Sequence, residues 1–143
     1  MCLPVKPYKI EVEWKHAGLS CAVVLVREAA HRCGYVRVPP GHPLFGKDYN
    51  DVDVEVHGGL TFAEIEPCKE HEDGQGYWFG FDCAHAHAGD SSYDPSAETE
   101  EALAMLKIYR RFPLWPWHYW SLPEVVAETE RLAQQLVEVP RGI

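Results

Sequence analysis

Val52, Val54 and Val56 alternate with Asp51, Asp53, Glu55 and His57, the clearest period-two pattern in the chain, and this predicts a strand with one apolar and one acidic face. Ile10, Val12 and Trp14 alternate in the same way with Glu11, Glu13 and Lys15. His16-Ala17-Gly18 then supplies a turn into Cys21-Ala22-Val23-Val24-Leu25-Val26, a run rich in β-branched residues that reads as a buried strand antiparallel to the first. Gly34 to Val38 predicts a third strand. Leu60 to Ile65 predicts another, resumed after an interruption at Gly58-Gly59, and Tyr77 to Cys83 is aromatic enough to be central in the sheet. Between these last two, Asp73-Gly74 is a good turn pair.

Periodicity changes near the C-terminus. Leu122, Val125, Val126, Thr129, Leu132, Ala133 and Leu136 follow the i, i+3, i+4, i+7 rule, and Ser121 with Glu124 forms a capping-box pattern at the head of that stripe. Asp94-Pro95 predicts the start of another helix running to about Arg111. Phe112 to Trp120 contains two prolines and reads as an aromatic clamp on the sheet rather than a helix. The expected fold is therefore α+β: one domain over residues 1–143, with a mostly antiparallel sheet of five to six strands and two C-terminal helices packed on it.

Thirteen Lys and Arg against 22 Asp and Glu give a net charge of −9, which disfavours nucleic acid and anionic membranes as partners. Cys21 to Val26 is the longest apolar run, far short of the ~20 residues a membrane helix needs. The start Met1-Cys2-Leu3-Pro4 has no secretory pattern, so the expected location is cytoplasmic. Cysteines at 2, 21, 33, 68 and 83 are odd in number and lack a disulfide framework's spacing, which predicts reduced thiols.

Two glycine-flanked segments concentrate the reactive side chains. In His57-Gly58-Gly59-Leu60-Thr61 the paired glycines allow backbone amides to approach an anion or carbonyl oxygen, or else mark a β-bulge. Asp82-Cys83-Ala84-His85-Ala86-His87-Ala88-Gly89-Asp90 holds a thiol, two imidazoles and two acids. A Cys-His pair suits a thiolate nucleophile or a transition-metal ligand set, and the plain alternative is a buried Cys in a polar loop. A zinc set could draw on Cys83, His85 and His87 with His57, or with His31 and Cys33, yet no pair has a zinc-site spacing. The row Asp51, Asp53, Glu55 reads as a solvated strand face more readily than as a cation site. No nucleophile elbow, P-loop or dinucleotide fingerprint is present, and the sequence specifies no cofactor. Trp78, Trp115, Trp117 and Trp120 are core residues or stacking surfaces for a flat ligand.

Gly41-His42-Pro43-Leu44-Phe45-Gly46, His57-Gly58-Gly59-Leu60-Thr61-Phe62 and Trp78-Phe79-Gly80-Phe81-Asp82-Cys83-Ala84-His85, with Gly89-Asp90 following, resemble the motifs of a family of small, largely uncharacterised bacteriophage and prophage proteins. The resemblance spans roughly residues 8 to 137. It departs from the family pattern Cys-Ala-His-Ala-Gly-Asp by an extra His-Ala pair between His85 and Gly89. It implies a phage-derived cytosolic protein and carries over no activity. With the pocket chemistry, it leads to the expectation of a counter-defence protein that sequesters a small, nucleotide-derived immune signal through His57, Gly58, Gly59, Thr61, Trp78, Asp82, Cys83, His85, His87 and Asp90. The competing expectations are a small hydrolase using His57 or His85 with Asp82 or Asp90, metal-assisted or not, and a non-catalytic inhibitor of a host protein. Assembly as a homo-oligomer is compatible with each.

Overall fold

The computed structural model describes residues 3–4, 9–26, 31–69, 71–83, 90–91 and 118–139. Strands β1 (Lys9–His16), β2 (Leu19–Val26), β3 (His31–Val38), β4 (Phe62–Ile65) and β5 (Tyr77–Asp82) form one antiparallel sheet in the order β1-β2-β3-β5-β4. A two-residue hairpin loop, Ala17-Gly18, closes β1 onto β2, and the register of β1 shifts between Ile10 and Val12. Asp90–Ser91 (β6) and His118–Tyr119 (β7) add a short parallel pair.

One α-helix, α1 (Leu122–Val137), stands among the described residues, where two had been expected; the helix expected over 94–111 lies outside them. Of the aromatic stretch 112–120, only 118–120 is described. The start of α1 follows its sequence signature. The Ser121 backbone N–H and hydroxyl both donate to Glu124 Oε1, at 3.2 and 2.9 Å. Val125, Thr129, Leu132, Ala133 and Leu136 bury one stripe of the helix against the sheet, meeting Cys21, Val23, Val36, Phe79 and Phe81. Close contact is made possible at Gly34, where a Cβ would lie 2.3 Å from Thr129 Oγ1 and 2.5 Å from the Phe81 ring. No helix among the described residues is long and apolar enough to cross a membrane.

The opposite sheet face is buried as well. Ala22, Val24, Cys33, Tyr35 and Trp78 form a second apolar cluster with Leu3. This double coverage explains why β2 reads as a continuous apolar run rather than an alternating one.

The strand expected at Val52–His57 is absent. Its alternation is real: Val52, Val54 and Val56 pack into the helix-side core while Asp51, Asp53 and Glu55 are exposed. Its hydrogen-bond partner, however, is α1 and not a strand. Gln135 Oε1 accepts from the Glu55 N–H at 2.7 Å, Gln135 Nε2 donates to the Glu55 carbonyl at 2.8 Å, and Glu128 accepts from the His57 N–H at 2.9 Å. The preceding loop is tied to the same C-terminal end of the helix by His42, whose Nε2 donates to the Leu136 carbonyl at 2.8 Å while Nδ1 accepts from the Leu44 N–H. One otherwise orphaned carbonyl of the last helical turn is thereby satisfied.

Candidate functional site

Val56 is the last apolar anchor of the extended segment, and directly after it the chain turns sharply. Gly58 and Gly59 sit at φ 70° and 79°, and the Gly59 N–H donates to the Val56 carbonyl at 2.9 Å. Only glycine takes two such left-handed positions in succession without strain. A Cβ on Gly59 would meet nothing within 4 Å, so the chain at Gly59 faces open space. The Gly59 amide is committed to the turn. The Gly58 and Leu60 amides have no hydrogen-bond partner among the described residues.

The half-buried His57 ring lies on Trp120, with ring centroids 4.3 Å apart and planes at 35°. Trp120 is positioned by its place just before the start of α1 and by its carbonyl, which accepts from Arg32 Nη1 at 3.2 Å. Arg32 is only 7% exposed; its charge is neutralised by Glu11, which accepts from Nε at 2.7 Å and Nη2 at 3.1 Å. The Arg32 carbonyl accepts from the Cys83 N–H at 3.0 Å. A continuous chain of contacts thus joins the His57 turn, through Trp120 and Arg32, to the end of β5, segments far apart in sequence.

Thr61 is exposed, and its N–H bonds the Gly80 carbonyl at 2.9 Å beside this turn. Cys83 is an unbridged thiol, 1% exposed within the helix-side core, too enclosed for a nucleophile or ligand at the surface. Asp82 lies on the opposite face, paired across the sheet with Cys33. Burial, reinforced by the Asp82 charge, pushes the Cys33 thiol up to about 12. Trp78 also faces that side and is fully buried, with Nε1 donating to Glu66 at 3.1 Å, so neither face of its indole is open to a ligand. His85 and His87 lie outside the described residues, and of Asp90 only the backbone pairing with His118 is described. Among the described residues no group of three His, Cys, Asp or Glu side chains is placed to hold a metal ion.

Among the described cysteines, the expectation of reduced thiols is corrected at Cys68, which is disulfide-bonded, while Cys21, Cys33 and Cys83 are buried thiols. An odd cysteine count excludes full pairing of all five but does not exclude one bridge.

A second polar cluster was not foreseen. The carboxylate of Glu66, with no exposed surface, accepts from Arg37 Nε at 3.1–3.2 Å, Arg37 Nη2 at 3.1 Å and Trp78 Nε1, and also from the Gly76 N–H. Arg37 also binds Asp73 at 2.8 and 3.0 Å and the Gly74 carbonyl. The signal in the sequence is Arg37 itself, a charge placed between Val36 and Val38 in a strand that is otherwise apolar. No family model matches this chain, and no curated protein or solved structure is significantly similar to it.

Proposed function

We propose that this protein captures a small anionic ligand, nucleotide-derived, at the His57-Gly58-Gly59-Leu60-Thr61 turn, and that it withholds that ligand as a phage-type counter-defence protein in the cytoplasm. The observation that carries this reading is the His57–Trp120 pair, seated on the buried Arg32 and followed by two left-handed glycines, the second of which, Gly59, faces open space. Such an arrangement offers an aromatic surface for a base beside backbone N–H groups for a phosphate. The His57–Trp120 pair, rather than Trp78, supplies the stacking surface.

Among the described residues, the placement of Asp82 and Cys83 favours capture over hydrolysis. Asp82 faces the other side of the sheet from Cys83, and the Cys83 thiol is enclosed. Neither sits where it would orient or assist the His57 imidazole as a general base. The exposed row Asp51, Asp53, Glu55 supports a second reading, an acidic surface that docks on a basic host protein.

Native mass spectrometry of the protein taken from cells, followed by calorimetry with AMP and a cyclic dinucleotide, tests the proposal. His57→Ala and Trp120→Leu are expected to keep the circular dichroism of the parent and to lose affinity by about 1.5–3 kcal/mol, roughly ten- to a hundredfold. Unchanged affinity in both folded variants would remove the turn as the site. A chemically altered nucleotide recovered after incubation would replace capture with catalysis. In a reducing cytoplasm Cys68 is exposed to exchange with glutathione, and alkylation mapping of the protein from cells reads the state it holds.

A further inference from the structure

The sheet face turned away from α1 carries a second polar site at the end near the β1–β2 hairpin. Lys15 pairs with Ser20, and one step beyond the Cys21–Val36 pair Ser20 falls beside Arg37, so the three residues form a row across β1, β2 and β3. The chain between β4 and β5 folds over this row. It is latched there by Arg37, which grips Asp73, the Gly74 carbonyl and Glu66, and by the backbone bond from the Glu66 N–H to the Gly76 carbonyl at 3.0 Å. The latch is tight: a Cβ on Gly76 would lie 2.2 Å from Arg37 Nε. Between row and loop is a cleft of about 420 Å³ lined by Lys15, Ser20, Arg37, His71, Glu72 and Asp73.

The unused hydrogen-bonding groups of this cleft are mostly donors. The Lys15 ammonium and the Ser20 hydroxyl have no side-chain partner among the described residues. Arg37 has five N–H groups, and the recorded bonds leave one on Nη1 uncommitted. His71 is about one-third exposed, with Nε2 3.6 Å from the buried Glu66 carboxylate and its other nitrogen unengaged. The negative charges of Glu66 and Asp73 are already taken up by Arg37. Glu72 remains at the rim as an exposed carboxylate, which repels a ligand of high negative charge.

We propose that this cleft is a binding site, separate from the His57 turn, for a small molecule bearing one oxyanion group, a carboxylate or a phosphate, held by Lys15, Ser20 and His71 with the spare Arg37 N–H. The two sites lie on opposite faces of the sheet, so either can be lost without the other.

The test is amide-resolved NMR of the full chain, titrated separately with inorganic phosphate and with acetate into the millimolar range, using chloride at equal ionic strength as control. Saturable shifts are expected at the amides of Lys15, Ser20 and residues 71–73. Lys15→Met and Ser20→Ala, which break no recorded side-chain bond, are expected to weaken binding by about tenfold and severalfold respectively, and His57→Ala to leave it unchanged. Shifts with phosphate alone identify a phosphate-bearing ligand, with acetate alone a carboxylate, and with both the shared oxyanion chemistry. Absence of saturable shifts with either anion, shifts matched by chloride, or full binding in folded Lys15→Met would overturn the proposal.

Discussion

Glu66 stays ionised without any exposed surface because the groups around it are donors. Burial alone raises its carboxyl pKa; the hydrogen bonds from Arg37, the Gly76 N–H and Trp78, with the Arg37 charge, outweigh burial and bring it below the ordinary value of 4.5. Removing that carboxylate leaves a guanidinium that is 6% exposed with only Asp73 and the Gly74 carbonyl as acceptors, and takes the acceptor from an indole N–H and a backbone N–H. Glu66→Ala is therefore expected to cost about 3–5 kcal/mol in urea unfolding, the range for breaking a buried pair from one side. The double variant Glu66→Leu with Arg37→Met should cost less than Glu66→Ala alone, since it removes the buried charges together. Equal or greater loss in the double variant would mean that the latch on Asp73 and Gly74, rather than the buried charge, is what Arg37 supplies to stability.

At the scale of elements, α1 works partly as a strand partner. Gln135 offers an acceptor and a donor to the two backbone groups of Glu55, the pattern a neighbouring strand would supply. Gln135→Ala is expected to cost only about 1 kcal/mol, because Glu55 is exposed and water replaces the lost bonds. It should nonetheless abolish the hydrogen-exchange protection of the Glu55 amide while leaving that of β2 and β3 intact; retained protection would show that the segment is held by its valines alone. This element also marks the limit of the sequence. Period-two hydrophobicity reports which side chains are covered, and 52–57 alternates as predicted, but it does not report whether the backbone bonds a strand or a helix side chain. The α1 stripe and the apolar run of β2 are legible because their burial patterns have one simple solution each. The His57 turn is legible from its paired glycines. Its stacking partner is not: among the tryptophans only the fold brings Trp120 under His57 and turns Trp78 to a buried carboxylate. Glu66, followed by Pro67 and a polar loop, has the look of surface until Arg37 is placed opposite it.

Across the whole molecule, the buried titratable groups, with the exposed Asp73 paired to Arg37, bound the pH range of stability from both sides. Glu66 and Asp73 have carboxyls lowered by Arg37, so their contribution is complete above the ordinary carboxyl values of 4.5 and 3.8 and is lost as pH falls toward their folded values. Cys21 and Cys33 act in the opposite direction. Burial pushes both thiols from 9.0 up to about 12, and Tyr35, also buried, is raised above its ordinary 10. Their contribution is complete below pH 9.0 and declines above it, as the unfolded chain releases protons that the folded chain retains. Each such group steepens the alkaline decline by about 1.4 kcal/mol per pH unit once its unfolded form is ionised. The net charge of −9 at pH 7 grows more negative in the same direction and adds self-repulsion. Unfolding free energy is thus expected to be flat between about pH 5 and 8.5 and to fall on either side. Cys33→Ala, although less stable at neutral pH because it leaves a small cavity, should have a shallower alkaline limb than the parent, since one of the groups that ionises only on unfolding is gone. Urea denaturation at closely spaced pH values from 8 to 11 reads that slope directly. An unchanged slope in the variant would mean that the Cys33 thiol is not shielded in the folded protein and that the apolar layer formed by Leu3, Tyr35 and Trp78 admits water.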